Sequence, residues 1–157
     1  MDEVDLAILR ELQVDGRLSL ADLGHRVGLT AAPVQRRLRA LEREGWITAY
    51  VALVDPGLAR RTFEVFLEVF LDVESRQAFE QFEDGVRGLP EITECHRVTG
   101  ASHYLVKVVS RDAQAFDRFF TQRLLTLPGV LRTTRQVSLA KVKDTTALPL
   151  PRVVRDL

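Results

Sequence analysis

Cysteine occurs once in these 157 residues, at Cys95, which excludes an intramolecular disulfide framework and a multi-cysteine zinc site. Net charge is missing too: 22 basic side chains balance 22 acidic ones, so any nucleic-acid binding must come from a local patch. Lysine is nearly absent, 3 against 19 arginines. Arginine suits bidentate contacts to phosphate and guanine, although codon bias produces the same ratio. No apolar run approaches the roughly 18 residues that suggest a membrane-spanning helix. The opening MDEVDLAILRELQ has neither the cationic start nor the unbroken apolar stretch of a signal peptide, so a cytoplasmic protein is expected. There is no glycine-rich phosphate loop, paired-carboxylate signature or serine nucleophile elbow, so neither enzymatic activity nor a cofactor is expected. What is present is 46% apolar and 28% charged, the make-up of one ordinary globular domain or two small ones.

The N-terminal part reads as helices. Val4, Leu6, Ile8, Leu9 and Leu12 fall at helical spacing, with Asp2 and Asp5 placed to cap the start and Gly16 to end it. Ser19 and Asp22 open a second, short helix with Leu20, Leu23 and Val27 apolar, and Gly28 allows a sharp turn. Thr30 is a natural N-cap for a third helix running to Glu44, with Pro33 tolerated in its first turn. Val34, Leu38 and Leu41 share one narrow arc, while Ala32, Arg36, Arg39 and Arg43 cluster opposite, with Gln35 beside them and Arg37 on the flank. From Thr30 to Arg43 four arginines meet one acid, a local charge of +3. A merely solvated helix face also carries arginines. Two short preceding helices, a glycine turn, and the small residues Ala31 and Ala32 at the start of the outward face favour a helix-turn-helix that enters a DNA groove.

Trp46 to Val54 is aromatic and β-branched and predicts a strand; Asp55-Pro56-Gly57 ends it. From Phe63 the period becomes alternating. Phe63, Val65, Leu67, Val69, Leu71 and Val73 form one face, and Glu64, Phe66, Glu68, Phe70 and Asp72 the other. Phe66 and Phe70 make the second face too apolar for open solvent, which predicts pairing with another subunit's sheet. A helix over 75–87, strands over 92–98 and 104–109, a helix over 112–127 and a strand from Val130 to about Val142 follow. Leu89-Pro90 and Leu127-Pro128 each close a helix and open a strand, so the order is βαββαβ with both helices on one sheet face. The expected organisation is 1–54 for DNA, 55–62 as linker, 63–143 as the sheet domain, and an extended or loosely ordered tail over 144–157.

Cys95 and His96 adjoin on a strand and so point to opposite faces, which argues against a nucleophile–base pair. His96 and His103 straddle the turn at Gly100, but two histidines are too few for a specific metal site, and none is expected.

The stretches LAILRELQVDGRLSLADLGHRVGLTAAPVQRRLRALEREGWI, FEQFEDGV, EITECHRVTGASHYLVKV and LPGV…T…VK together resemble the Lrp/AsnC family of transcription regulators, over roughly residues 2 to 145. The resemblance implies an α+β chain: an N-terminal winged helix-turn-helix followed by a ferredoxin-like βαββαβ domain that senses small molecules. It implies double-stranded DNA as partner, dimers that often assemble into octamers, and an amino acid or related metabolite as effector. DNA contacts would then come from Thr30, Ala31, Ala32, Gln35, Arg36, Arg37, Arg39 and Arg43. The effector would meet Gly100, Ala101, Ser102, His103, Tyr104, Thr133 and Arg135, and the dimer would form over Phe66 and Phe70. His103 stands where the family commonly has aspartate, and Arg135 replaces a threonine. The first change removes an acid and both add donors and positive charge, which predicts a more anionic effector, or none. The alternative reading is a metabolite-binding or assembly module with little DNA affinity, since residues 1 to 50 hold seven arginines against eight acids.

Overall fold

The computed structural model describes residues 1–72 and 75–151; Val73 of the predicted sheet stripe and the tail residues 152–157 lie outside the described residues. The chain forms two compact units, Met1–Leu53 with the segment from Lys143, and Val54–Val142. Among the described residues no helix is long and apolar enough to cross a membrane.

The first unit is built on α1 (Glu3–Val14), α2 (Leu20–Val27) and α3 (Ala31–Arg43). The Asp2 carboxylate accepts from the N–H groups of Val4 and Asp5, and Asp5 accepts from the Asp2 N–H, a reciprocal capping box. Ile8, Leu9, Leu23, Val34 and Leu41 interlock as the core. Each such fully buried aliphatic side chain contributes roughly 1.5–3 kcal/mol by leaving water. Gly28 ends α2 at φ 73° and Gly45 follows α3 at φ 79°, left-handed positions that favour glycine.

Two expectations change here. The composition of 46–54 predicts a strand, but these residues join no ladder among the described residues, and Val51 and Val54 are 76% and 72% exposed. β-propensity measures fit to a paired, half-buried surface, and among the described residues no strand lies beside this segment to supply one. The described part of the tail, 144–151, forms neither helix nor strand, as its prolines predict, and it is not loose: Leu150 packs against the core of the first unit.

The second unit is a four-stranded sheet, β1 (Phe63–Leu71), β2 (Ile92–Arg97), β3 (Tyr104–Ser110) and β4 (Val130–Val137), in the order β2-β3-β1-β4 with every neighbouring pair antiparallel. With α4 (Arg76–Arg87) and α5 (Ala113–Phe119), this is the expected βαββαβ ferredoxin-like arrangement. Val65, Leu67 and Val69 of β1 and Tyr104, Val106 and Val108 of β3 face Phe82, Phe116, Phe119, Phe120 and Leu124 of the helical layer in one core. The helix expected through 127 instead passes at Phe120 into a π-helical turn ending at Leu124. Phe119 and Phe120 are adjacent yet each 5% exposed, and the widened turn lets both rings point inward.

Candidate nucleic-acid interface and effector site

The turn into α3 depends on two close approaches. The Leu29 N–H donates to the Gly24 carbonyl at 2.8 Å. A Cβ on Gly24 would lie 2.6 Å from the Leu29 carbonyl oxygen, so only glycine fits without moving backbone. Sequence reading passes over Gly24, although a glycine inside an eight-residue helix, at a cost of about 1 kcal/mol, is itself a signal.

On α3, the structure brings Thr30, Ala31, Ala32, Gln35, Arg36, Arg39 and Arg43 to one exposed surface. Thr30 is the N-cap of α3, as expected, but its side chain makes no cap hydrogen bond. The N–H groups of Ala31 and Ala32 have no intrahelical acceptor, and with the Thr30 hydroxyl they form a set of donors at a helix N-terminus, where anions bind. Arg36, Arg39 and Arg43 have no hydrogen-bond or ion-pair partner among the described residues. Arg37 departs from the expected set. Its guanidinium reaches back to Asp2 and Asp5, both at 2.8 Å, and ties α3 to the capping box of α1. The hydrogen bond from the Asp5 N–H and the nearby Arg37 hold the Asp2 carboxyl below its ordinary range.

In the sheet unit, Gly100 takes φ 131° in the β2–β3 turn, which supports its place there. Ala101 is exposed, and Ser102 and His103 are half-buried. The His103 Nδ1 accepts the N–H of Leu71 at 2.9 Å, while its own backbone N–H donates to the Val69 carbonyl. In this arrangement the ring's neutral form carries its proton on Nε2. His96 engages a different partner, Glu94 at 3.6 Å. Cys95 faces the core, half-buried, and burial pushes its thiol up to about 11. Among the described residues there is no cluster of His, Cys, Asp or Glu able to hold a metal ion.

Tyr104 departs from its expected role as a direct contact. Its ring is 1% exposed and lies 4.5 Å from Phe82, centroid to centroid. Its hydroxyl donates to Glu83 at 2.7 Å, and the Arg97 Nε donates to the same carboxylate oxygen at 3.0 Å. Burial, then the bond to Glu83, pushes the phenol up to about 12. The Tyr104 hydroxyl, then Arg97, holds the Glu83 carboxyl below its usual range. This Arg97–Glu83–Tyr104 lock anchors the turn to α4 and is not legible from spacing, because its members come from three separate elements.

Tyr104, Val69 and Thr133 lie in one row across β3, β1 and β4 on the helix-facing side of the sheet. Arg135 stands in the next row, exposed, with its guanidinium 4.5 Å above the Phe120 ring. The opposite face carries Phe66, Phe70, Leu105 and Lys107. Phe66 is half-buried. Phe70 is not open as expected: it is 8% exposed because the Arg132 guanidinium lies 3.5 Å over its ring.

Comparison with known proteins agrees with both halves. Residues 1–42 match the AsnC-type helix-turn-helix domain, and residues 64–148 match the Lrp/AsnC ligand binding domain. The leucine-responsive regulatory protein of Escherichia coli strain K12 is 41% identical over 148 residues, covering 94% of this chain and 90% of that protein. A transcriptional regulator from Neisseria meningitidis, solved as a complex with L-Met, superposes with a TM-score of 0.91 at 35% identity, over 95% of this chain and 96% of that one. An AsnC family regulator from Agrobacterium tumefaciens superposes with a TM-score of 0.91 at 34% identity, over 95% and 97%. With its three-helix reader and its antiparallel sensing sheet, this chain belongs to the Lrp/AsnC family of transcription regulators.

Proposed function

We propose that the chain reads promoter DNA with α3 and responds to an amino acid or related metabolite held by the sheet unit. The observation that carries the first half is the set of uncommitted donors on one face of α3. Gln35 and Arg36 address base edges, Ala31 and Ala32 permit close approach, and Thr30, Arg39 and Arg43 hold phosphates. Arg37 is left out of this set because its charge is already matched by two aspartates. A gel shift on the DNA upstream of the chain's own gene tests the reading. Loss of binding in the Arg36→Ala, Arg39→Ala double variant supports it, and unchanged affinity removes it.

Residues 1–54 serve as the reader, 55–62 as linker and 63–143 as sensor. The effector is held by Gly100, Ala101, Ser102 and His103 together with Thr133 and Arg135, while Tyr104 fixes the turn from beneath. An amino-acid effector is supported by the Neisseria meningitidis relative's complex with L-Met. Arg135, exposed and cationic, favours an effector carrying an extra carboxylate. Isothermal titration against an amino-acid panel decides this, and tight binding of lysine would contradict it. Two copies pair over the sheet face bearing Phe66, Phe70 and Leu105, with further assembly toward an octamer. Pairing presents two recognition helices at once, which compensates for the near-neutral charge of the reader. The protein acts on chromosomal DNA in the cytoplasm.

A further inference from the structure

The residues beyond β4 do something that neither half of the proposed function requires. Gln13, near the end of α1, uses its side-chain amide at both ends. Nε2 donates to the Leu148 carbonyl at 3.2 Å, and Oε1 accepts the Leu148 N–H at 2.6 Å. The Arg10 guanidinium, one turn earlier, donates to the Pro151 carbonyl at 3.4 Å. Between these two contacts Leu150 packs, half-buried, against the cluster of Ile8, Leu9, Leu23, Val34 and Leu41. A primary amide bonded to both the N–H and the C=O of one residue copies the pairing of a neighbouring strand, so it fixes an extended segment whatever side chain stands there. Pro149 and Pro151 keep that segment extended and out of any helix.

We propose that the face of α1 bearing Arg10 and Gln13 is a docking site for the chain's own C-terminal segment, residues 147–151, and that its occupancy stiffens the DNA-reading helices. The route is continuous. The segment grips α1, and the N-terminus of α1 holds Arg37 of α3 through Asp2 and Asp5. Releasing the segment uncovers part of the three-helix core and removes three hydrogen bonds from the C-terminal half of α1. It removes no arginine from the outward face of α3. The segment is also covalently continuous with β4, so the last sensing strand and the reader share one stretch of chain.

Hydrogen exchange on the full-length protein tests the docking, using Gln13→Ala, Leu150→Asp, the double variant, and a chain stopped after Thr146. Each single change should speed exchange of the α1 amides about tenfold, as expected for losing one or two net hydrogen bonds' worth of local stability. The double variant should be no worse than the stopped chain, because all act on one contact. Exchange in β1 and β3 should not change, and protection of α1 should not depend on protein concentration. Unaltered α1 exchange in the stopped chain overturns the proposal, and so do additive effects. Protection that fades on dilution assigns the docked segment to a second copy and overturns the own-chain reading. If the proposed DNA reading holds, the stopped chain also binds promoter DNA several-fold more weakly with the same salt dependence. Failure of the wild-type protein to bind DNA would count against that reading alone, since exchange judges the docking separately.

Discussion

The two units of this chain use arginine in opposite ways. On α3, the exposed side chains of Arg36, Arg39 and Arg43 make no ion pair, hydrogen bond or ring contact among the described residues. In the sheet unit, Arg97 lies over Phe79 and on Glu83, and Arg132 lies over Phe70. A guanidinium spread on an aromatic face or held by a carboxylate is part of the fold, and moving it breaks an interaction it already makes. One left in water gives up little when it exchanges water for phosphate. Arg37, two aspartates on its guanidinium, belongs with the second kind although it sits on the same helix as the first. Commitment to existing partners, rather than position in the helix, therefore separates the arginines proposed to read DNA from the structural ones.

The largest expected effect tests this directly. Arg36→Ala with Arg39→Ala should weaken promoter binding about a hundredfold, from one base contact and one phosphate contact, and leave the unfolding midpoint in place. Arg37→Ala should do the reverse, lowering stability of the first unit by a modest amount. Calorimetric unfolding beside a fluorescence-anisotropy titration separates the two outcomes. Gly24→Ala comes next. Its new methyl meets the Leu29 carbonyl, so unfolding free energy should fall by about 1–3 kcal/mol with m unchanged. A neutral result in denaturant titration would mean that the turn relaxes freely.

Smaller effects sharpen the sheet side. Tyr104→Phe leaves the ring packed and deletes one hydrogen bond to a partly solvated carboxylate, so stability should fall by about 0.5–1.5 kcal/mol. Glu83→Gln at neutral pH should recover little of it. The lock also sets two pH windows. The Glu83 carboxyl is depressed, so its contribution is present above the ordinary carboxylate range and is lost as pH falls through its folded value. Tyr104 is raised, so its contribution is complete below about 10 and is lost as pH climbs toward about 12. The chain has 2 tyrosines, and the other, Tyr50, is also pushed up to about 12, by burial and by its bond to Glu42. Absorbance titration at 295 nm should show no tyrosinate half-point near pH 10. Tyr50 is 51% exposed, so solvent weakens its shift, and it should ionise before Tyr104.

Whatever depends on neighbours along the chain was legible from the sequence. The alternation of Val65, Leu67 and Val69 located the sheet core, and the 100° arc of Val34, Leu38 and Leu41 located the buried side of α3. Asp2 and Asp5 announced their capping box. Features that depend on elements meeting in space were not legible. Arg37 sat on the flank of the helical wheel, and nothing local told that α1 would place two carboxylates against it. Tyr104 matched a motif position, but its burial follows from α4 carrying Phe79, Phe82 and Glu83 across that strand. The segment 46–54 carried strand composition, but among the described residues it pairs with no strand. The tail carried prolines, which predicted its extended form, yet Gln13 gave no sign that its amide would bind a backbone so far along the chain.

The salt dependence of promoter binding tests the central distinction most directly. The slope of log affinity against log salt is measured for the wild-type protein, for Arg39→Ala and for Arg37→Ala. Arg39→Ala should make this negative slope shallower by about 0.9 for each phosphate it no longer neutralises, while Arg37→Ala should leave the slope alone. Equal slopes in the wild type and Arg39→Ala, or a shallower slope in Arg37→Ala, would contradict the distinction.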